Sequence, residues 1–92
     1  MLKLLSIENS PLKQKKLRAI FNDGTHTDFG SKGYTDFLKS NSESKKKLYI
    51  ARHKVRENWN SPKTAGSLSR YILWNKKTLK DSIADYKKRF NL

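Results

Sequence analysis

Apolar positions in the first thirty residues recur at the short intervals of strands. Leu2, Leu4 and Ile7 open the chain, and Ser10-Pro11 interrupts them. A second apolar segment, Leu17-Arg18-Ala19-Ile20-Phe21, ends at Asn22-Asp23-Gly24. An Asp-Gly pair flanked by apolar residues signals a hairpin, because the glycine accepts positive φ. Thr25-His26-Thr27-Asp28-Phe29 then alternates and is rich in β-branched residues. The three segments predict a three-stranded antiparallel meander.

After Phe29 the period changes. Gly30 and Gly33 flank Ser31-Lys32 as a turn, and Phe29, Tyr34 and Phe37 are expected to cover one end of the sheet. Ser40-Asn41-Ser42-Glu43 reads as a capping box, Ser-x-x-Glu, starting a helix that reaches Asn58. Leu48, Ala51 or Arg52, Val55 and Trp59 would form its inward face, and Asn60-Ser61-Pro62 ends it. A shorter helix is expected from Ala65 to Trp74, with Leu68, Tyr71, Ile72 and Leu73 toward the core. Asn75-Lys76-Lys77 breaks it. Thr78-Leu79-Lys80-Asp81 caps a last helix that carries Leu79, Ile83, Tyr86 and Phe90 on one stripe. The fold class that follows is α+β: an N-terminal three-stranded antiparallel meander, then two or three C-terminal helices, in one basic domain over residues 1–92.

Length and composition narrow this picture. Ninety-two residues make one domain with a thin core, and its ten aromatic residues are expected mostly inside. The absence of cysteine excludes disulfides and thiolate metal sites and favours a reducing, intracellular setting. No apolar run approaches a membrane span, and Met1–Leu5 lacks the hydrophobic region of a signal peptide. The formal charge of +13 changes the picture most. Residues 1–40 carry seven Lys/Arg against four acids, whereas residues 41–64 and 65–92 each carry seven against two. Such an excess exceeds what solubility needs and attracts polyanions.

The candidate contacts for a polyanion lie on the central helix and after it: Lys45, Lys46, Arg52, His53, Arg56, Arg70, Lys76 and Lys77. Arginine can hold a phosphate through two hydrogen bonds, while lysine acts as a point charge. Trp59, Tyr49 or Trp74 could stack on bases, but a Trp closing an apolar helix face is more commonly core, and both Trp are read so. Phosphate contact is therefore favoured over base reading. Lys87-Lys88-Arg89 need no ligand, since a helix C-terminus favours cations.

Catalytic signals are weak. Gly30-Ser31-Lys32-Gly33 lacks the spacing of a phosphate loop or dinucleotide fingerprint. His26 and His53 lie in different elements, and too few acids accompany them for a metal site. His26 reads as a surface residue. His53 reads as a phosphate donor or as a neighbour of Trp59. Asp28 and Asp36 would pair only if folding joined them, and caps are the commoner use of such residues. Ser67 and Ser69 lack the setting of a nucleophile. The expectation is a non-enzymatic protein without cofactor or small-molecule substrate. Attachment to an anionic membrane ranks lower still, because the last helix's apolar stripe is needed for the core.

Several pieces together resemble a family of small basic proteins encoded by nucleocytoplasmic large DNA viruses, including chlorella-virus and mimivirus relatives. They are Phe29-Gly30-Ser31-Lys32-Gly33-Tyr34-Thr35-Asp36-Phe37, Arg52-His53-Lys54-Val55-Arg56-Glu57-Asn58-Trp59 and Leu68-Ser69-Arg70-Tyr71-Ile72-Leu73-Trp74-Asn75-Lys76. Thr78-Leu79, Ser82-Ile83-Ala84-Asp85-Tyr86 and Arg89-Phe90 complete them, so the likeness extends over residues 15–92. Ser31 and Thr35 are mild departures from its pattern. The resemblance implies a viral origin, an intracellular place in an infected host cell and packaging in the virion. No active-site assignment carries over from it. Two functions are then expected: binding to viral DNA, more than RNA, through the phosphate backbone with weak sequence preference; or, as the alternative, a minor capsid or cementing role on acidic surfaces of viral capsid proteins.

Overall fold

A computed structural model describes residues 1–92. Strands β1 (Leu4–Asn9), β2 (Lys15–Phe21) and β3 (His26–Ser31) form an antiparallel sheet in the order β1-β2-β3. Helices α1 (Phe37–Ser40), α2 (Glu43–Lys54) and α3 (Ala65–Leu68) follow; α3 runs into a π-helical turn (Ser69–Leu73), and α4 (Leu79–Phe90) closes the chain. The α+β meander expected from the alternation is the observed fold.

Strand pairing explains which side chains go inward. Leu17 faces Phe29, Ala19 faces Ile7 and Thr27, and Phe21 faces Leu4 across the ladders. Arg18 lies between Glu8 and Asp28, so the opposite face is polar and cross-strand charges offset each other. Between Leu4 and Ser6 the register shifts, leaving Leu5 without a partner and largely exposed, as a β-bulge does. Gly24, at φ +86°, makes the β2–β3 turn.

The helical layer seals the inner face. Leu4, Ala19, Phe21 and Phe29 of the sheet meet Leu68, Ile72, Leu73 and Tyr86 in one buried cluster. Tyr86 is fully buried and its hydroxyl donates to the Pro62 carbonyl at 2.6 Å, tying α4 to the loop before α3. Burial pushes the Tyr86 phenol well above its ordinary value. Ile83 and Phe90 pack against the cluster as the stripe requires, but Leu79, its first residue, is exposed. Thr64 and Thr78 cap α3 and α4 by accepting from the N–H groups of Ser67 and Asp81.

The central helix departs from expectation. Asn41 adopts a left-handed conformation, φ 49°, and separates α1 from α2. The cap of α2 is therefore Ser42, accepting from Lys45 N–H, and Ser40 instead ends α1. The expected apolar face also fails. Leu48 is 61% exposed, Val55 83% exposed, and α2 buries no residue. Its inward side is Lys46, Tyr49, Ile50 and His53, half-buried at helical spacing. Tyr34 does not cover the sheet, being 73% exposed, whereas Phe29 and Phe37 do go inward.

Candidate nucleic-acid interface

A concavity of about 600 Å³ opens between the sheet, the loop that follows it, α2 and the π-helical turn. Each wall has a local cause. Gly30, at φ +78°, lets β3 approach the π turn so closely that a Cβ there would stand 2.6 Å from Leu73 Cδ1. Lys16 on β2 reaches across to the loop, donating to the Tyr34 carbonyl at 2.6 Å and to the Asp36 carboxylate at 2.7 Å. Asp36 in turn accepts from Lys39 N–H and caps α1. The loop backbone is thus pinned while the Tyr34 side chain stays free.

The α2 wall is held by rings and one lysine stem. Trp74 and Tyr49 stack with centroids 4.7 Å apart and planes 8° from parallel, and Tyr49 stacks on His53 at 4.3 Å. Lys46 Nζ donates to the Asn75 carbonyl at 2.7 Å and lies 4.8 Å from the Phe37 ring centroid. Burial pushes the Tyr49 phenol well above its ordinary value, and the Glu57 carboxylate adds to the effect. At the floor, Glu57 accepts from Trp59 Nε1 at 3.0 Å, stands 3.6 Å from His53 Nδ1, and lies against Gly66.

The cleft's charge is uneven. Lys15, Lys16, Lys45 and Arg52 line it, with Asp36 and Glu57 as its two carboxylates. Lys16 is paired with Asp36, but Lys15, Lys45 and Arg52 form no ion pair with any acid. Lys45 and Arg52 are seven residues apart on one helix, about 10 Å along its axis. The exposed side chains of Tyr34 and Leu48 add apolar surface to the lining.

Of the eight basic residues singled out in the sequence, the fold brings Lys45, Arg52 and His53 into the cleft. Lys46 is spent on the Asn75 carbonyl, and Arg56 is exposed outside the cleft. Lys76 and Lys77 are exposed between the π turn and α4, also outside it. Arg70 is half-buried, its guanidinium 5.6 Å from the Trp59 ring and 5.0 Å from the Tyr71 ring. Its Nη1 donates to the Trp74 carbonyl at 2.8 Å, its Nε is buried without a partner, and burial lowers its pKa. Arg70 therefore braces the aromatic layer rather than facing solvent. Lys15, Lys16 and Tyr34 were not singled out as contacts; no local pattern marks them, because their meeting with α2 is tertiary.

The candidate carboxylate pair does not form. Asp28 is bound by Arg18 at 2.9 Å and by the Ser10 hydroxyl at 2.6 Å, which hold its carboxyl below the usual range, while Asp36 belongs to Lys16. His26 is exposed on β3. Trp74 packs beside the core and also lines the cleft. Trp59 is half-buried, edge-on to Tyr71. No three His, Asp or Glu side chains gather as metal ligands would, and no helix is long and apolar enough to cross a membrane.

The chain belongs to a family of unknown function (DUF5754), whose model matches residues 5–53. The match spans β1 from Leu5, β2, β3, α1 and all of α2 but Lys54, and so includes Lys15, Lys16, Tyr34, Lys45 and Arg52 of the cleft. No curated protein and no solved structure matches the chain.

Proposed function

We propose that this protein is a non-enzymatic nucleic-acid-binding module that grips the phosphate backbone with weak sequence preference. The observation that carries the reading is the convergence of Lys15, Lys45 and Arg52, none paired with an acid, on one cleft of a chain with formal charge +13. Unpaired cations held close together repel one another, and a polyanion relieves that repulsion. Arg52 can take a phosphate through two hydrogen bonds, and the lysines add point charges. The resemblance to proteins of large DNA viruses makes viral DNA, ahead of RNA, the polymer proposed, inside an infected cell and carried into the virion.

The test is a binding titration by fluorescence anisotropy at several salt concentrations. Phosphate neutralisation predicts that log affinity falls linearly with log salt, with a slope of about −0.9 per phosphate on duplex DNA and about −0.7 on a single strand. A flat dependence overturns the reading.

Val55, 83% exposed just beyond α2, favours a second reading. In it the protein is a virion component whose basic surface meets acidic capsid protein and whose exposed apolar side chains complete the contact. That reading predicts little binding to naked DNA and a tight complex with an acidic capsid protein.

A further inference from the structure

We infer that the cleft receives an unpaired nucleotide of a single strand, with its base against the Tyr34 ring and its flanking phosphates on Lys15, Lys45 and Arg52. The inference rests on the nucleic-acid reading above and deepens it from any phosphate backbone to a single strand.

Three observations support it. The cleft's volume of about 600 Å³ suits a ligand of nucleotide size. Tyr34 is 73% exposed, yet its backbone is fixed by the Lys16 ammonium on the Tyr34 carbonyl. An exposed aromatic on a pinned backbone is a ready stacking platform, because every base offers a π face. Leu48, 61% exposed, adds a second apolar contact on the α2 side. The remaining rings of the cleft, His53, Tyr49 and Trp74, already stack on one another, which leaves Tyr34 as the ring available to a base.

The arrangement also sorts the roles of its charges. Asp36 and Glu57 would repel phosphate, but Asp36 is paired with Lys16 and Glu57 accepts from Trp59. Lys15, Lys45 and Arg52 keep their charge for the ligand. Since they stand on two different elements lining the cleft, β2 and α2, phosphates on either side of the base can be met separately.

The experiment compares labelled oligothymidylate with a duplex of equal length, by anisotropy at low salt, for the wild type, Tyr34→Ala, Tyr34→Phe and the pair Lys45→Glu/Arg52→Glu. Tyr34 is exposed and its only polar contact is through its backbone carbonyl, so the substitutions leave the fold intact. Tighter binding of the single strand, a loss of about tenfold in Tyr34→Ala on the single strand alone, and retention in Tyr34→Phe are expected. Equal affinity for the two polymers, or a Tyr34→Ala that binds the single strand like wild type, overturns the inference. If the double charge reversal still weakens binding in that case, the nucleic-acid reading survives and the unpaired-base inference alone fails. If no form binds either polymer, both fail.

Discussion

The indole of Trp74 lies flat against the phenol of Tyr49, 4.7 Å between centroids and 8° from parallel. This contact joins the end of the π-helical turn to the middle of α2. It matters because α2 buries no side chain of its own, so stacking and the Lys46 contact to the Asn75 carbonyl stand in for a hydrophobic face. Elements with little buried apolar area open at low free energy.

Tyr49→Ala should therefore loosen α2 selectively. The aromatic pair is worth about 0.5–1.5 kcal/mol beyond its area, and its loss should raise amide exchange across Glu43–Lys54 while the strands keep their protection. Uniform acceleration through the sheet would show that α2 is part of the cooperative core.

Gly30→Ala should be among the most damaging small substitutions. The new methyl meets Leu73 Cδ1 at 2.6 Å on a backbone at φ +78°, so overpacking and left-handed strain act together, about 2–5 kcal/mol in sum. Gly24 has a similar φ but nothing within 4 Å of the added Cβ. Gly24→Ala should cost only about 1–2 kcal/mol. Denaturant unfolding of the two variants checks the ordering.

Acid should destabilise the protein through its paired aspartates. Asp28 is held below the usual range by Arg18 and Ser10, and Asp23 by Lys63 and Thr25. Both are depressed in the folded state, so their contribution is complete above the ordinary aspartate value near 3.8 and is lost as pH falls through the folded values. Melting temperature should fall below about pH 4, and Asp28→Asn should lower it slightly at neutral pH while flattening the acid limb. An Asp28→Asn variant with the wild-type profile would show that the Arg18 pair contributes nothing.

The strands were legible because alternation and Asp23-Gly24 act over a few residues, and most of the α4 stripe because Ile83, Tyr86 and Phe90 face the core, although Leu79 does not. The α2 face was misread for a physical reason. Leu48 and Val55 look like core residues, but the helix docks through rings and a lysine stem that hydropathy scores as polar. The Ser40-to-Glu43 spacing suggested a cap, while the left-handed Asn41 moved the cap to Ser42. Half of the cleft was invisible for another reason: Lys16 meets Asp36 across twenty residues, and only the packed fold brings Lys15 and Tyr34 into one cleft with Lys45 and Arg52.

The measurement that tests the central claim most directly sets charge in the cleft against equal charge elsewhere. Lys15→Glu/Lys45→Glu/Arg52→Glu reverses the three unpaired cleft cations, and Lys80→Glu/Lys87→Glu/Lys88→Glu reverses three exposed cations of α4, outside the cleft. The two variants have the same net charge. If the cleft grips the phosphates, the first loses most affinity for DNA and its salt slope flattens by about two to three phosphates, while the second keeps most of both. Equal losses in the two variants would contradict the account and leave only a diffuse attraction of a basic protein for a polyanion.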